Sequence, residues 1–396
     1  MSLQFILGGS GRGKTSYLQN MIIKEAFENQ SKNYFMIVPE QFTMQTQKNF
    51  ITLSDTKGIM NIEVQSFARL AFRILSETGA GNEPVIDDMG KTMILKKVLS
   101  EKKDELKYFS NNINKKGYVS EIKSFLSELI QYGVDGQTID KMIETADNKP
   151  LLSAKLKDMS VAYRGFLDYI ENHYITSEEV ISVFSSVVGQ SQILKDSVIC
   201  LDGFTGFTPL QYRLISELMK VAERVYVTAT ISKGESIATE GAPHQLFHMS
   251  RKMICTLRKM ALDQNIDIQD EIWLENDDEK SRYKNACNIS KLERKLFRYN
   301  NSKNHIECPD GNDSVSIHLL KQPESEVAFV VREIKKLLCE KKCRYRDIAV
   351  ITGDLETYGV IIDQAMEKAQ IPCFIDQKKS VLSNPFVDAV DAACGK

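Results

Sequence analysis

The run Gly8-Gly9-Ser10-Gly11-Arg12-Gly13-Lys14-Thr15 constrains this chain more than any other stretch. It satisfies the spacing G-x-x-x-x-G-K-[ST], with apolar Phe5-Ile6-Leu7 before it and a helical pattern after it. The residue types follow from phosphate chemistry. Glycines let backbone N–H groups turn inward around phosphate oxygens, and a helix beginning near Lys14 adds its partial positive charge. Lys14 is expected to reach the β- and γ-phosphates of ATP, and Thr15 to ligate Mg²⁺. The plainer alternative is a strand–helix turn with an incidental lysine.

The periodicity around this loop predicts an α/β fold with a parallel, P-loop, RecA-like sheet. Short apolar strands are predicted at 3–7, Tyr34–Val38 and Ile62–Val64, separated by helical patterns. Between 85 and 190 strand signals vanish and helical spacing takes over, as in Ile122, Phe125, Leu126, Leu129 and Ile130. Strands return at Val198–Leu201 and Val225–Ala229. Between them Thr208 is placed to cap a helix whose first turn holds Pro209. Residues 262–312 read as variable helices and loops. A fresh α/β rhythm then begins, with strands predicted at Val315–Leu319, Ile348–Ile351 and Ile371–Ile375. The expected domains are therefore 1–85 with 190–311 (first RecA-like domain), 86–189 (helical insertion) and 312–396 (the truncated start of a second RecA-like domain).

Composition excludes several classes. Lys and Arg total 51 against 53 Asp and Glu, so the chain lacks the basic excess of an autonomous nucleic-acid binder. The lysine pairs at 96–97, 102–103 and 115–116 read as solvated helix faces before DNA contacts. No apolar run approaches the about 18 residues of a membrane span, and no signal peptide is recognised, so a cytoplasmic location is expected. The eight cysteines form no C-x-x-C pair. Cys339 and Cys343 are four apart on an expected helix, and His305 lies three before Cys308, but no second ligand pair completes a metal framework.

A P-loop ATPase also needs a carboxylate at the end of a second strand to hold Mg²⁺, and Asp202 is the candidate. Asp-Gly is equally a common turn pair, so Asp202 also reads as a simple strand-end residue. Several motifs then line up in order: the N-terminal loop, Val38-Pro39-Glu40-Gln41-Phe42-Thr43, Gln65-Ser66-Phe67-Ala68-Arg69-Leu70, Leu201-Asp202-Gly203-Phe204-Thr205, Tyr345-Arg346-Asp347-Ile348-Ala349-Val350 and Ile371-Pro372. Over essentially its whole length the chain resembles the N-terminal, helicase-like part of the AddB (RexB) family, the B subunits of bacterial ATP-dependent helicase–nucleases and relatives of UvrD-type superfamily 1 helicases.

The resemblance implies a set of expectations. Gln41, Phe42, Ser66 and Phe67 fall where such helicases contact DNA, although Ser66-Phe67 reads equally well as a helix cap beside a core aromatic. The partner would be an AddA-like helicase–nuclease, and the ligands single- and double-stranded DNA, with Chi recognition in this region. A C-terminal exonuclease domain, absent here, would carry an iron–sulfur cluster. Departures from an active motor are expected to matter. Only seven residues precede Gly8, so the upstream glutamine motif is missing. Gly203 stands where a hydrolysing helicase has Glu. Val227-Thr228-Ala229-Thr230-Ile231-Ser232 lacks a phosphate-sensing glutamine, and no arginine appears from Asp354 to Gly359. The expectation is ATP bound but not turned over. The alternatives are an active helicase motor, a small-molecule kinase and a scaffold with a vestigial loop.

Overall fold

The computed structural model describes the chain except residues 55–60, 81–83, 110–115, 147, 172, 177, 275–281, 284–285, 298–314, 341–342, 378–383 and 395–396. The chain divides into two compact units, Met1–Ser314 and Val315–Lys396.

The first unit is built on parallel strands β1 (Ser2–Gly8), β2 (Tyr34–Ile37), β3 (Ile62–Gln65), β6 (Val198–Leu201), β7 (Arg224–Thr230) and β8 (Asp267–Ile268), in the spatial order β3-β2-β6-β7-β1-β8, with β9 (Ile272–Trp273) also pairing β1. The separate pair β4 (Val85–Ile86) and β5 (Ile175–Thr176) is also parallel. Every central strand is buried on both faces, which is why these segments read as unbroken apolar runs. Successive side chains alternate between two cores. Leu3, Phe5 and Leu7 of β1 enter one, with Ile199, Val225 and Val227; Ile6 enters the other, with Met36, Val198 and Cys200. Helices α1 (Lys14–Glu28) and α2 (Thr43–Leu53) cover the second face through Leu18, Ile22 and Phe50. The first face is covered by α3 (Phe67–Thr78), which has a strong apolar stripe of Leu70, Ala71 and Ile74.

The predicted helical region holds α4 (Asp88–Glu101), α5 (Lys116–Gln131), α6 (Gly136–Thr145) and α7 (Pro150–Ile170), packed around their own core of Leu95, Leu99, Ile122, Leu126 and Phe166. The next helix, α8 (Glu179–Val187), sends Val180 and Phe184 into the core of the main sheet instead. The strands β4 and β5 lie at the region's two ends; two residues are too few to register as a period in the sequence. After β6 come α9 (Pro209–Val221) and α10 (His248–Asp263), which add Leu214, Leu218, Met253 and Leu257 to the same core. Thr208 caps α9 through a reciprocal capping box with Gln211, with Pro209 in the first turn as the sequence predicts. The stretch read as variable from residue 262 in fact contributes β8 and β9 to the sheet edge. Beyond them lies α11 (Cys287–Lys295).

The second unit contains α12 (Pro323–Cys339) and α13 (Leu355–Lys368), packed through a small core of Ile334, Met366 and Ile371, followed by α14 (Pro385–Cys394). Helix α12 stops at Cys339, so Cys343 is not on it, and His305 and Cys308 lie outside the described residues. The three strands predicted here do not form: Val315–Leu319, Ile348–Ile351 and Ile371–Ile375 carry no ladder pairing. Ile317, Ile351 and Phe374 are 94%, 93% and 89% exposed. An apolar run becomes a strand only when a neighbour takes up its N–H and C=O groups, and these segments have none beside them among the described residues. No helix among the described residues is long and apolar enough to cross a membrane.

Candidate nucleotide-binding site

In a parallel α/β sheet, ligands gather at the carboxyl ends of the strands. All the motifs singled out in the sequence of the first unit fall there: the glycine loop after β1, Glu40–Phe42 after β2, Ser66-Phe67 after β3, Asp202 after β6 and Thr228 to Thr230 at the end of β7. A cleft of about 220 Å³ opens among Gly11, Gly13, Lys14, Thr15, Asp202 and Thr230. Its volume lies below the range of about 300–1,000 Å³ usual for whole small-molecule sites, which suits a phosphate chain better than a base and sugar.

The loop's glycines are required by geometry. Gly11 and Gly13 adopt left-handed backbone, φ +70° and +89°, which only glycine takes without strain. A Cβ on Gly8 would lie 2.7 Å from the Leu274 carbonyl oxygen, on the strand-edge segment that follows β9. The N–H groups of Lys14, Thr15 and Ser16 have no acceptor one turn back, since the helical ladder begins with Tyr17 N–H to Gly13 O at 2.8 Å. No acidic residue occupies the first turn of α1, so its positive end is not neutralised from within the helix.

Lys14 lies back along the loop, its Nζ donating to the carbonyls of Gly8 and Gly9 at 2.9 Å each. Burial pushes its pKa down from 10.5 to about 8, with the Asp202 and Glu293 carboxylates opposing and Arg282 assisting the shift. Thr15 Oγ1 donates to Asp202, 2.9 Å from Oδ2 and 3.1 Å from Oδ1. Thr228 Oγ1 donates to Asp202 Oδ1 at 2.6 Å. The register explains this last contact: Leu201 pairs Val227 across β6 and β7, so Asp202 arrives beside Thr228. The buried Asp202 is thus more than a turn residue, since two hydroxyls fix its carboxylate. The sequence marks the stretch around Thr228 only for its lack of a glutamine; the hydroxyl's own role shows in the sequence only as a polar residue within the strand Val225-Tyr226-Val227-Thr228-Ala229.

The residue after Asp202 is also fixed by geometry. Gly203 has φ +80°, and a Cβ there would rest 3.6 Å from the Pro39 ring. Space allows a side chain, but the backbone conformation does not favour one.

The remaining site candidates separate. Arg12 contributes backbone to the loop, but its side chain is buried away from the cleft: it donates to Ser290 Oγ at 3.3 Å, lies 3.9 Å from the Glu293 carboxylate, and stacks over Tyr283 at 5.1 Å. Ser10 offers its carbonyl to the Tyr283 hydroxyl at 2.9 Å. Gly9 sits beneath Glu293, whose Oε1 would be 3.1 Å from an added Cβ. Gln41 and Phe42 are exposed, Phe42 by 49%, on the single turn after β2. Ser66 and Phe67 are buried. Ser66 caps α3 by accepting from Arg69 N–H, and Phe67 packs against Phe204 and Phe207 at 5.5 and 6.0 Å between ring centres. Neither presents a face on which a base could stack. Of the lysine pairs, Lys97 lies over the Tyr169 ring and Lys102 pairs with Glu105 on the surface, while Lys115 falls outside the described residues.

Residues 5–293 match the family described as ADDB, N-terminal. The chain belongs to the AddB N-terminal family. Similar proteins, each named as the B subunit of an ATP-dependent helicase/deoxyribonuclease, occur in Lachnoclostridium phytofermentans (43% identity over 99% of this chain and 34% of the relative), Clostridium tetani (32%, 98% and 33%) and Clostridium novyi (31%, 98% and 33%). The chain thus spans about a third of the length of these AddB relatives. The matched region includes the whole cleft, from the glycine loop of β1 to the α11 residues that hold Arg12.

Proposed function

We propose that this region binds ATP with Mg²⁺ in the cleft at the end of β1 and holds it without turnover, as part of the B subunit of an ATP-dependent helicase–nuclease. One observation carries the reading: a complete phosphate loop faces a fixed Thr15–Asp202 pair, while the position after Asp202 is a left-handed glycine. The donor set fits the ligand. Glycine N–H groups, Lys14 and the start of α1 suit the phosphates. A Thr15 hydroxyl that donates to Asp202 keeps its lone pairs for a cation, and Asp202 supplies a nearby carboxylate for waters bound to the same ion. Bound Mg²⁺ would offset phosphate charge. On this reading Asp202 orients Thr15, Thr228 orients Asp202, and among the described residues no further carboxylate follows Asp202 to deprotonate a water.

The wider role rests on the family and on the names its members carry. The full-length protein would pair with an AddA-like helicase–nuclease in the cytoplasm and act in recombinational repair of double-strand breaks. Its 5′–3′ exonuclease activity and iron–sulfur cluster would belong to the part of the AddB relatives that this chain does not span. This region, arranged as a first RecA-like domain, a helical insertion and the start of a second RecA-like domain, would guide single-stranded DNA and take part in Chi recognition. Gln41 and Phe42 are the surface candidates for that contact, since an exposed aromatic at the sheet's carboxyl end can stack on a base. The test is equilibrium binding of a labelled, non-hydrolysable ATP analogue to the full-length protein. Saturable, Mg²⁺-dependent binding lost in Lys14→Ala is expected; equal binding by the two proteins would make the loop vestigial.

A further inference from the structure

We infer that Arg282 is a further phosphate ligand of this cleft, presented by a turn that clasps the glycine loop from outside. The inference rests on the cleft being a nucleotide site, as proposed above. Arg282 lies about 270 residues beyond the loop in sequence, yet it lines the same cleft as Lys14, Thr15 and Asp202. Its stem runs directly over Gly11: a Cβ there would be 2.9 Å from both Cγ and Cδ of Arg282. Gly11 therefore serves two purposes, a left-handed turn and the close approach of this side chain. The neighbouring Tyr283 pins the turn to the loop, with its hydroxyl on the Ser10 carbonyl at 2.9 Å and its ring under Arg12. Arg12 is in turn held by Ser290 and Glu293 of α11.

The chemistry of this position is that of an anion ligand. Arg282 is exposed, and it forms no ion pair among the described residues. Arg282 and Lys14 thus line one cleft against a single lining carboxylate, Asp202, which leaves a surplus of positive charge that suits a polyphosphate. A planar fork of donors suits phosphate oxygens. The ligand class is the polyphosphate of a nucleoside triphosphate or diphosphate.

The experiment measures binding of a fluorescent, non-hydrolysable ATP analogue with Mg²⁺ to the full-length protein, comparing wild type, Lys14→Ala, Arg282→Ala and Arg282→Lys. Thermal melting of each free protein checks folding. The inference expects Arg282→Ala to weaken binding about 10- to 100-fold, with Arg282→Lys in between and melting unchanged. A second variant, Tyr283→Phe, keeps the ring beneath Arg12 but frees the turn from Ser10, and should weaken binding by a smaller factor than Arg282→Ala. Wild-type affinity in Arg282→Ala beside a loss in Lys14→Ala would overturn the inference and leave the nucleotide site standing. If wild type and Lys14→Ala bind alike, the site itself fails and the inference falls with it.

Discussion

The two sides of the cleft differ in completeness. On the loop side, Gly8 to Thr15 meet every requirement of a phosphate cradle, with left-handed glycines at 11 and 13, a helix start without acidic residues and a partly desolvated Lys14. On the strand-end side, Asp202 is buried and held by two hydroxyls, but the chain turns away at once through Gly203. Holding a triphosphate and hydrolysing it are separable tasks. The first needs donors and a cation; the second also needs a positioned base. On the proposed reading, the cleft has the parts for the first task, while the left-handed backbone at Gly203 does not favour a side chain that could serve the second.

Substitutions can break the contrast from either side, and the largest effect is expected at the junction. Asp202→Ala removes the acceptor of both Thr15 and Thr228, so urea denaturation should show a loss of about 2 kcal/mol. Asp202→Asn keeps an acceptor and should lose less. A gain of stability in Asp202→Ala would mean the carboxylate is a strained catalytic group and not a structural pivot.

On the loop side, the expected effect is a pH dependence. In the free cleft Lys14 titrates near pH 8, and only its charged form attracts phosphate. Binding should therefore take up a proton around pH 8, and affinity should fall by about tenfold from pH 7 to pH 9. Calorimetry in buffers of different ionisation enthalpy measures the uptake directly, and Lys14→Ala should abolish it. Protein stability moves the other way. The unfolded chain, with a lysine near 10.5, binds more protons than the folded one between about pH 8 and 10.5. The contribution of Lys14 to folding stability accordingly rises with pH across that window.

Gly203→Glu places the missing carboxylate on the strand-end side. Because φ is +80° there, the substitution is expected to cost about 1 kcal/mol or more in denaturant stability. It should produce no ATP turnover, since the carboxylate would project from the wrong backbone geometry. Turnover in this variant would show that the two sides differ by one residue alone.

Legibility in the sequence followed the same physics. The strands of the first unit were readable because each apolar run is buried on both faces of a parallel sheet, and the helix starts at Lys14 and Pro209 were readable from glycine and capping residues. The same kind of run at Ile348–Ile351 misled, since composition marks a segment fit to pair but not whether a partner lies beside it. The loop side of the site was legible as a contiguous motif. Thr228, Arg282 and Tyr283 were not, because they reach the cleft only through strand register and a contact from far along the chain. Ser66 and Phe67 fit the second of the two readings their motif left open: burial gives them a cap and an aromatic cluster.

Retention of ATP without turnover is measured most directly by phosphate release. The full-length protein, free of its partner, would be loaded with γ-labelled ATP and Mg²⁺ and followed under single-turnover conditions beside Lys14→Ala. The expected result is that wild type holds intact ATP, that Lys14→Ala fails to hold it, and that neither releases phosphate above the protein-free rate. Phosphate release by the wild type that disappears in Lys14→Ala would contradict retention.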